Sequence, residues 1–437
     1  MIGLQDHPQR YALANELHAR PFPELHAPCR AVYLAIKPER DAASRDRRRD
    51  LAHLIALLDR HGAPHPPPGA DHYYGTIGRV SLKWERHTEF VTYTMFTDGV
   101  ADPPFSGQME EIFPRDWLAE APGRLLTSAL VRVEPVPPGI DPDTPLADAA
   151  LAGHFDGWFV RESLAVSRVL DDQAVIAGDF RIDANGHTRF AVLARPGMGS
   201  RRLGRIVQRL LEIETYKSSA MLTLPVARQV ASRAAEIDAE LSDLVSAMAR
   251  GEGDEAATLD RLLAMTAEIE ALSTRSAFRF GAAEAYEAIV NQRIEVLREE
   301  RLAGRQTFGE FMTRRFDPAM RTCRSAKKRM DELSLRAARA ADMLRTRVDV
   351  AVAAQNRALL ESMDRRAALQ LRLQETVEGL SVVAISYYAV SLAGYLLAPL
   401  GHLAGVDKGT VTAIATLPVI FVVWRMVKRI RAHLGGD

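Results

Sequence analysis

The chain has 437 residues, with 56 Lys and Arg balanced by 56 Asp and Glu and 47% hydrophobic residues, enough for two or three domains and a substantial core. Its net charge of zero conveys little, because the charges are segregated along the chain. The two cysteines, Cys29 and Cys323, lie far apart and match no metal spacing, which fits a reducing compartment rather than a disulfide framework.

Gln5, Asp6 and His7 fall where a secretory signal needs an apolar run, so the bulk of the protein is expected in the cytoplasm. The stretch Asn15-Glu16-Leu17-His18-Ala19-Arg20-Pro21-Phe22 is followed by His26 and Cys29. These residue types can ligate metals, but their spacing fits no zinc pattern. The stretch reads as a docking segment that pins the N-terminus, with ligand contact through Asn15, Glu16, His18 and Arg20 as the alternative.

Between Cys29 and Arg195, β-rich runs are predicted at Ala31–Ile36, Thr76–Trp84, Phe90–Phe96, Leu125–Val133, Trp158–Val166, Ala174–Ile182 and Thr188–Leu193. Helical patterns fall at Arg40–His61, Arg115–Ala121 and Pro145–Gly153. The opening order β, α, β, β, α, β is that of a ferredoxin-like unit. The later runs read as an antiparallel meander with an Asn185-Gly186 hairpin turn. The expected fold class is therefore an α+β cytoplasmic domain over residues 1–198.

After Gly199 the strand pattern stops. Helices are predicted at Arg201–Leu222, Leu224–Ala249, Glu255–Ser276, Ala282–Leu302 and Gln306–Phe316, then one pattern from Pro318 to Val377. Residues 199–376 are thus expected to form a long-helix bundle and a coiled-coil stalk. The stalk seam is Leu344, Val348, Ala351, Gln355, Leu359 and Met363. A straight helix from Arg329 to Gly379 would span about 75 Å at 1.5 Å per residue. That places the basic cluster Arg321, Arg324, Lys327, Lys328 and Arg329 far beyond reach of lipid charge. Its natural complement is the acid-rich segment Glu236 to Glu270. Nucleic acid is the minor alternative, since no aromatic residues interleave the basic ones.

The last sixty residues carry the clearest signal. Gly379 to Val406 and Gly409 to Trp424 contain no Asp, Glu, Lys or Arg, and Asp407 and Lys408 separate the two stretches. A transmembrane helix needs roughly 20 apolar residues, so a two-helix transmembrane hairpin is expected over 377–426, followed by a basic tail, 427–437. Arg365, Arg366 and Arg372 precede it, and Arg425, Lys428, Arg429 and Arg431 follow. The positive-inside rule then puts both termini in the cytoplasm.

Four further constellations stand out. On a strand the side chains alternate, so Glu85, His87 and Glu89 would share one face, where they would hold a divalent metal or tune the imidazole; the alternative is a solvated face of ion pairs. Asp179-Phe180-Arg181 reads as an internal salt-bridge corner or a ligand contact. Glu375 and Glu378 lie at i, i+3 just before the apolar stretch, where an oligomer would present a carboxylate ring to cations. On Gln208 to Tyr216, Arg209, Glu212 and Tyr216 form a polar stripe opposite Ile206, Leu210 and Ile213. No phosphate loop, nucleophile elbow or His-Glu-x-x-His helix is present.

Together, Asn15 to Phe22, Trp84 to Phe90, Gln208 to Tyr216, Arg345 to Val350 and Glu375 to Tyr388 resemble a bacterial family of uncharacterised membrane-anchored proteins built on a domain of unknown function. The resemblance spans essentially the whole chain and implies a two-span anchor in a bacterial inner (plasma) membrane, without an activity or site residues. The layout is also similar to that of CorA-type magnesium channels and of mitochondrial membrane-anchored translation factors related to yeast sporulation proteins. The channels' Gly-Met-Asn signature is absent, since the position reads Gly394-Tyr395-Leu396-Leu397-Ala398-Pro399. The leading expectation is a non-enzymatic sensor or docking protein that oligomerises through its long helix and binds a cytoplasmic protein partner and the lipid bilayer. The alternatives are a CorA-like divalent cation channel and a metal-dependent hydrolase using Glu85, His87 and Glu89.

Overall fold

A computed structural model describes residues 5–16, 22–39, 45–106, 113–137, 140, 145–252, 254–403, 405 and 407–434. The chain divides into two units, Met1–Ala340 and Ala341–Asp437. In the first, strands β1 (Cys29–Lys37), β2 (His72–Ile77), β3 (Val80–Arg86), β4 (Val91–Asp98), β5 (Arg124–Pro135), β6 (Ala165–Val169), β7 (Ala174–Ile182), β8 (Thr188–Ala194) and β9 (Glu300–Arg301) form one mixed sheet. Their spatial order is β2-β3-β4-β1-β5-β8-β7-β6-β9. Helices α1 (Arg10–Glu16), α2 (Arg47–Arg60), α3 (Arg115–Ala119) and α4 (Pro145–His154) are short. The later ones, α5 (Ser200–Met221), α6 (Thr223–Arg250) and α7 (Glu255–Glu295), are long, and α8 (Phe308–Arg315) leads into α9 (Asp317–Leu403) and α10 (Lys408–Leu434).

β1 is apolar along nearly its whole length, the pattern of a strand covered on both faces. It pairs antiparallel with β4 on one side and β5 on the other. Val32, Leu34 and Ile36 join the main core with Leu54 and Leu57 of α2 and Trp117 of α3. Tyr33 points to the opposite face, where its hydroxyl lies 2.6 Å from Thr215 Oγ1 of α5. Inside the core, His53 Nε2 donates to the Trp117 carbonyl at 3.1 Å, because a carbonyl can only accept. Nδ1 is thereby left to accept from the Tyr93 hydroxyl at 2.9 Å. Burial pushes the His53 pKa down, so this histidine is neutral in the fold.

Several element boundaries differ from the sequence reading for identifiable reasons. The run Thr76–Trp84 is a hairpin, because Gly78 adopts φ 59° and turns β2 into β3. Of Trp158–Val166, only the end is extended: a turn closes from Ser163 N to the Val160 carbonyl, and β6 begins at Ala165. Helix α2 starts at Arg47, where the Asp46 side chain accepts from Arg48 N at 2.9 Å. The helices predicted on either side of Gly281 are one helix of 41 residues. A single interior glycine costs only about 1 kcal/mol, and Phe280 and Ala283 are buried beside it. β8 joins the meander β6-β7-β8 to β5 by a parallel pairing.

Met320, Cys323, Ala326, Met330, Leu333, Ala337 and Ala340 of α9 are buried at steps of three and four. Members of the basic cluster beside them pair within the chain: Arg324 with Glu287, Lys327 with Glu284 at 2.8 Å, and Arg329 with Asp238, which Arg336 beyond the cluster also holds. Most of these acids lie outside the predicted partner segment. Within that segment Glu236 and Glu268 instead hold Arg233, at 2.7 and 2.5 Å.

In the second unit, the rest of α9 and α10 provide two helices long and apolar enough to cross a membrane. Asp407 caps α10 by accepting from Gly409 N at 3.0 Å. A Cβ on Gly394 would lie 3.0 Å from Thr412 Oγ1, so the two helices approach closely there. Lys408 Nζ sits 4.8 Å from the centre of the Tyr395 ring.

Candidate functional site

The site grows from the turn between β3 and β4. Alternation along β3 sends Trp84 into the core, while Lys83 faces α5 and gives its ammonium to Gln208 Oε1 at 2.8 Å and Glu85 at 3.2 Å. At Arg86 the strand ends, and His87 N donates to the Phe90 carbonyl at 2.9 Å. Lys83, Glu85 and His87 still line one cleft against α5, whereas Glu89 turns away to Lys37, Arg279 and Tyr286, so Glu85, His87 and Glu89 do not converge. Among the described residues no group of three or more His, Cys, Asp and Glu is placed to hold a metal ion.

Each residue of the turn is held from a distant part of the chain. Arg45 donates to the carbonyls of His87 at 2.7 Å and Phe90 at 3.0 Å, and also to that of Thr88. Its own charge is balanced by buried Asp50 at 2.8 Å. Glu89 is 1% exposed and receives Lys37 Nζ at 3.0 Å, Arg279 at 2.8 Å and the Tyr286 hydroxyl at 2.7 Å. Burial pushes the Glu89 pKa up, but the Tyr286 hydrogen bond and the two cations outweigh it and hold the carboxyl below its ordinary value. Glu89 thus ties β1 and the β3–β4 turn to the middle of α7 with one ionised carboxylate.

Beside the turn opens a cleft of about 350 Å³, walled by Arg47, Asp71, Arg86, His87, Thr88, Phe90, Tyr216, Tyr286 and Ile289. The His87 ring stacks on Phe90 at 4.5 Å, and Tyr216 lies 5.4 Å from Tyr286. Arg86 donates to the Gly69 carbonyl at 3.3 Å. Burial lowers its pKa first, and the nearby Arg47 lowers it further. A second, tighter cleft between the sheet and α5 holds about 30 Å³ of free space, room for one or two waters.

The other predicted site residues lie apart from this cleft. Asp179 accepts from two backbone amides, Val160 N at 2.9 Å and Arg181 N at 3.1 Å, and Arg181 turns to Ser163 Oγ at 2.7 Å, so the corner is not a salt bridge between the two. Between them Phe180 takes φ 54° at a bulge and stacks on Phe311 of α8 at 4.5 Å. Glu375 is exposed on α9, and Glu378 accepts from Gln374 at 3.2 Å. Asn15 and Glu16 close α1, while His18 and Arg20 lie outside the described residues. Of the polar stripe on α5, Arg209 donates to the Val296 carbonyl at 3.3 Å and Glu212 pairs with Arg293.

Sequence reasoning missed Arg45, Arg47, Lys37, Arg279 and Tyr286. The one local signal was Phe278-Arg279-Phe280, a cation between two aromatic residues on a helix. A family model described as "Protein of unknown function (DUF3422)" matches residues 5–434. The chain belongs to this family. The match runs through the sheet, the helices and both apolar C-terminal helices of this family member, including every residue of the turn and its cleft. No curated protein matches the chain.

Proposed function

We propose that the protein is a membrane-anchored sensor or docking protein, held in a bacterial inner membrane by α9 and α10 with both termini on the cytoplasmic side. The carrying observation is uncovered apolar surface: only 11% and 6% of the apolar windows of these helices are buried. Leu396 and Leu417 are 70% and 77% exposed. Leaving such side chains in water forgoes about 25 cal/mol per Å² of apolar area, and hydrocarbon removes that cost. Arg425, Lys428 and Arg429 support the orientation. Leu359 and Met363, 60% and 58% exposed, support self-association along a coiled-coil stalk. The Glu89 node supports a sensing role, because it fastens a cleft to a long helix through ionised groups.

The intact chain is expected in the membrane fraction, resistant to alkaline carbonate and released by detergent. A chain ending before Gly379 is expected in the soluble fraction. Recovery of the intact chain without detergent would overturn the anchor. In mild detergent the mass is expected to be a multiple of 48.3 kDa, and a strict monomer would remove the stalk. Divalent cation flux through liposomes carrying the purified protein would move the reading to the channel, with Glu375 and Glu378 at its mouth.

A further inference from the structure

The cleft beside the β3–β4 turn has the volume of a small-molecule site, about 350 Å³, against a usual range of roughly 300–1,000 Å³. Its lining combines two chemistries. Arg47 and Arg86 supply guanidinium groups, with Asp71 the carboxylate among the lining residues. Phe90, Tyr216 and Tyr286 supply rings. Arg45 is committed to Asp50 and to three turn carbonyls, so it stiffens the wall without facing a ligand. Glu89 is closed off by Lys37, Arg279 and Tyr286, so its charge is neutralised before it reaches the cleft. Burial and then the neighbouring Arg47 disfavour the charge of Arg86, a cost that an anion bound between the two guanidinium groups relieves.

We infer that this cleft binds a small phosphorylated ligand carrying a planar ring, a nucleoside monophosphate in kind. Guanidinium groups match phosphate oxygens with paired charged hydrogen bonds, and flat bases stack on aromatic side chains. A divalent cation is disfavoured by the two arginines. The inference rests on the sensor reading and names the ligand class that the sensor would read. Tyr286 is the connection, because it lines the cleft and its hydroxyl holds Glu89.

The test is calorimetric titration of the detergent-solubilised full chain with AMP, GMP, CMP and UMP, with inorganic phosphate and adenosine as partial probes. At least one nucleotide is expected to bind, each partial probe at least about tenfold more weakly, and R47M/R86M to lose at least about tenfold in affinity. An unchanged melting profile in R47M/R86M separates lost binding from lost fold. No nucleotide binding, or equal binding by R47M/R86M, would overturn the inference. Phosphate binding as tightly as the best nucleotide would overturn it too, by removing the ring. Membrane fractionation of the same protein is independent of these outcomes, so an anchored chain that ignores nucleotides sinks the ligand class and leaves the anchor standing.

Discussion

The two units treat their least comfortable side chains in opposite ways. Up to Ala340 even a fully buried carboxylate such as Glu89 has three partners, and the seven residues of α9 from Met320 to Ala340 that recur at steps of three and four are covered, with Leu335 between them left 55% exposed. Beyond Ala341, Leu359, Leu360, Leu380 and Leu392 are 60–69% exposed. The same residue types at the same helical spacing therefore meet different fates. Periodicity specifies that a helix will present an apolar face, and the surroundings specify what covers it.

The sharpest way to break this contrast is at Glu89. Glu89→Ala leaves Lys37 and Arg279 without their shared carboxylate and is expected to lower unfolding free energy by about 3–5 kcal/mol. Urea titration of the solubilised chain measures it, and a loss below about 1 kcal/mol would mean that the node does not hold the fold. Next comes a matched pair on α9. Leu333→Ala is expected to cost about 2–5 kcal/mol, whereas Leu359→Ala should change the fold's stability by no more than about 0.5 kcal/mol. Equal effects would erase the distinction between the two regions. Gly204→Ala should cost about 1–3 kcal/mol, because its Cβ would lie 1.7 Å from the Pro23 carbonyl oxygen.

The smallest effect is a pH dependence of the first unit. Burial holds the pKa values of His53 and His187 below their ordinary value of 6.5. The unfolded chain therefore takes up protons first, so stability is complete above that value and declines as pH falls below it. A melting temperature at about pH 5.5 equal to or above that at about pH 7.5 would contradict this.

Much of the sheet was legible because its strands carry their own punctuation. The bounds of β7 match the predicted run, and Gly186 at φ 89° makes the expected turn before β8. The β2–β3 hairpin was not legible, since Gly78-Arg79 carries no strong turn dipeptide and apolar residues continue across it. Leu164 and Phe159 are as buried as strand residues although the chain between them turns, so burial there imitated extension. At the site, Glu89 was visible as a polar residue in a dense motif. Its role was not, because Arg279 and Tyr286 come from a helix far along the chain and chain order carries no information about that meeting.

The crossing of Pro23 over Gly204 bears on how the chain reaches its final form. Leu25 N also donates to the Ser200 carbonyl at 3.2 Å, so the segment before the central strand is clasped by the start of a helix synthesised much later. During synthesis that segment can make these two contacts only once α5 has emerged. This clasp therefore forms only after α5 has been made, and contacts of such long sequence separation are the slow ones in folding.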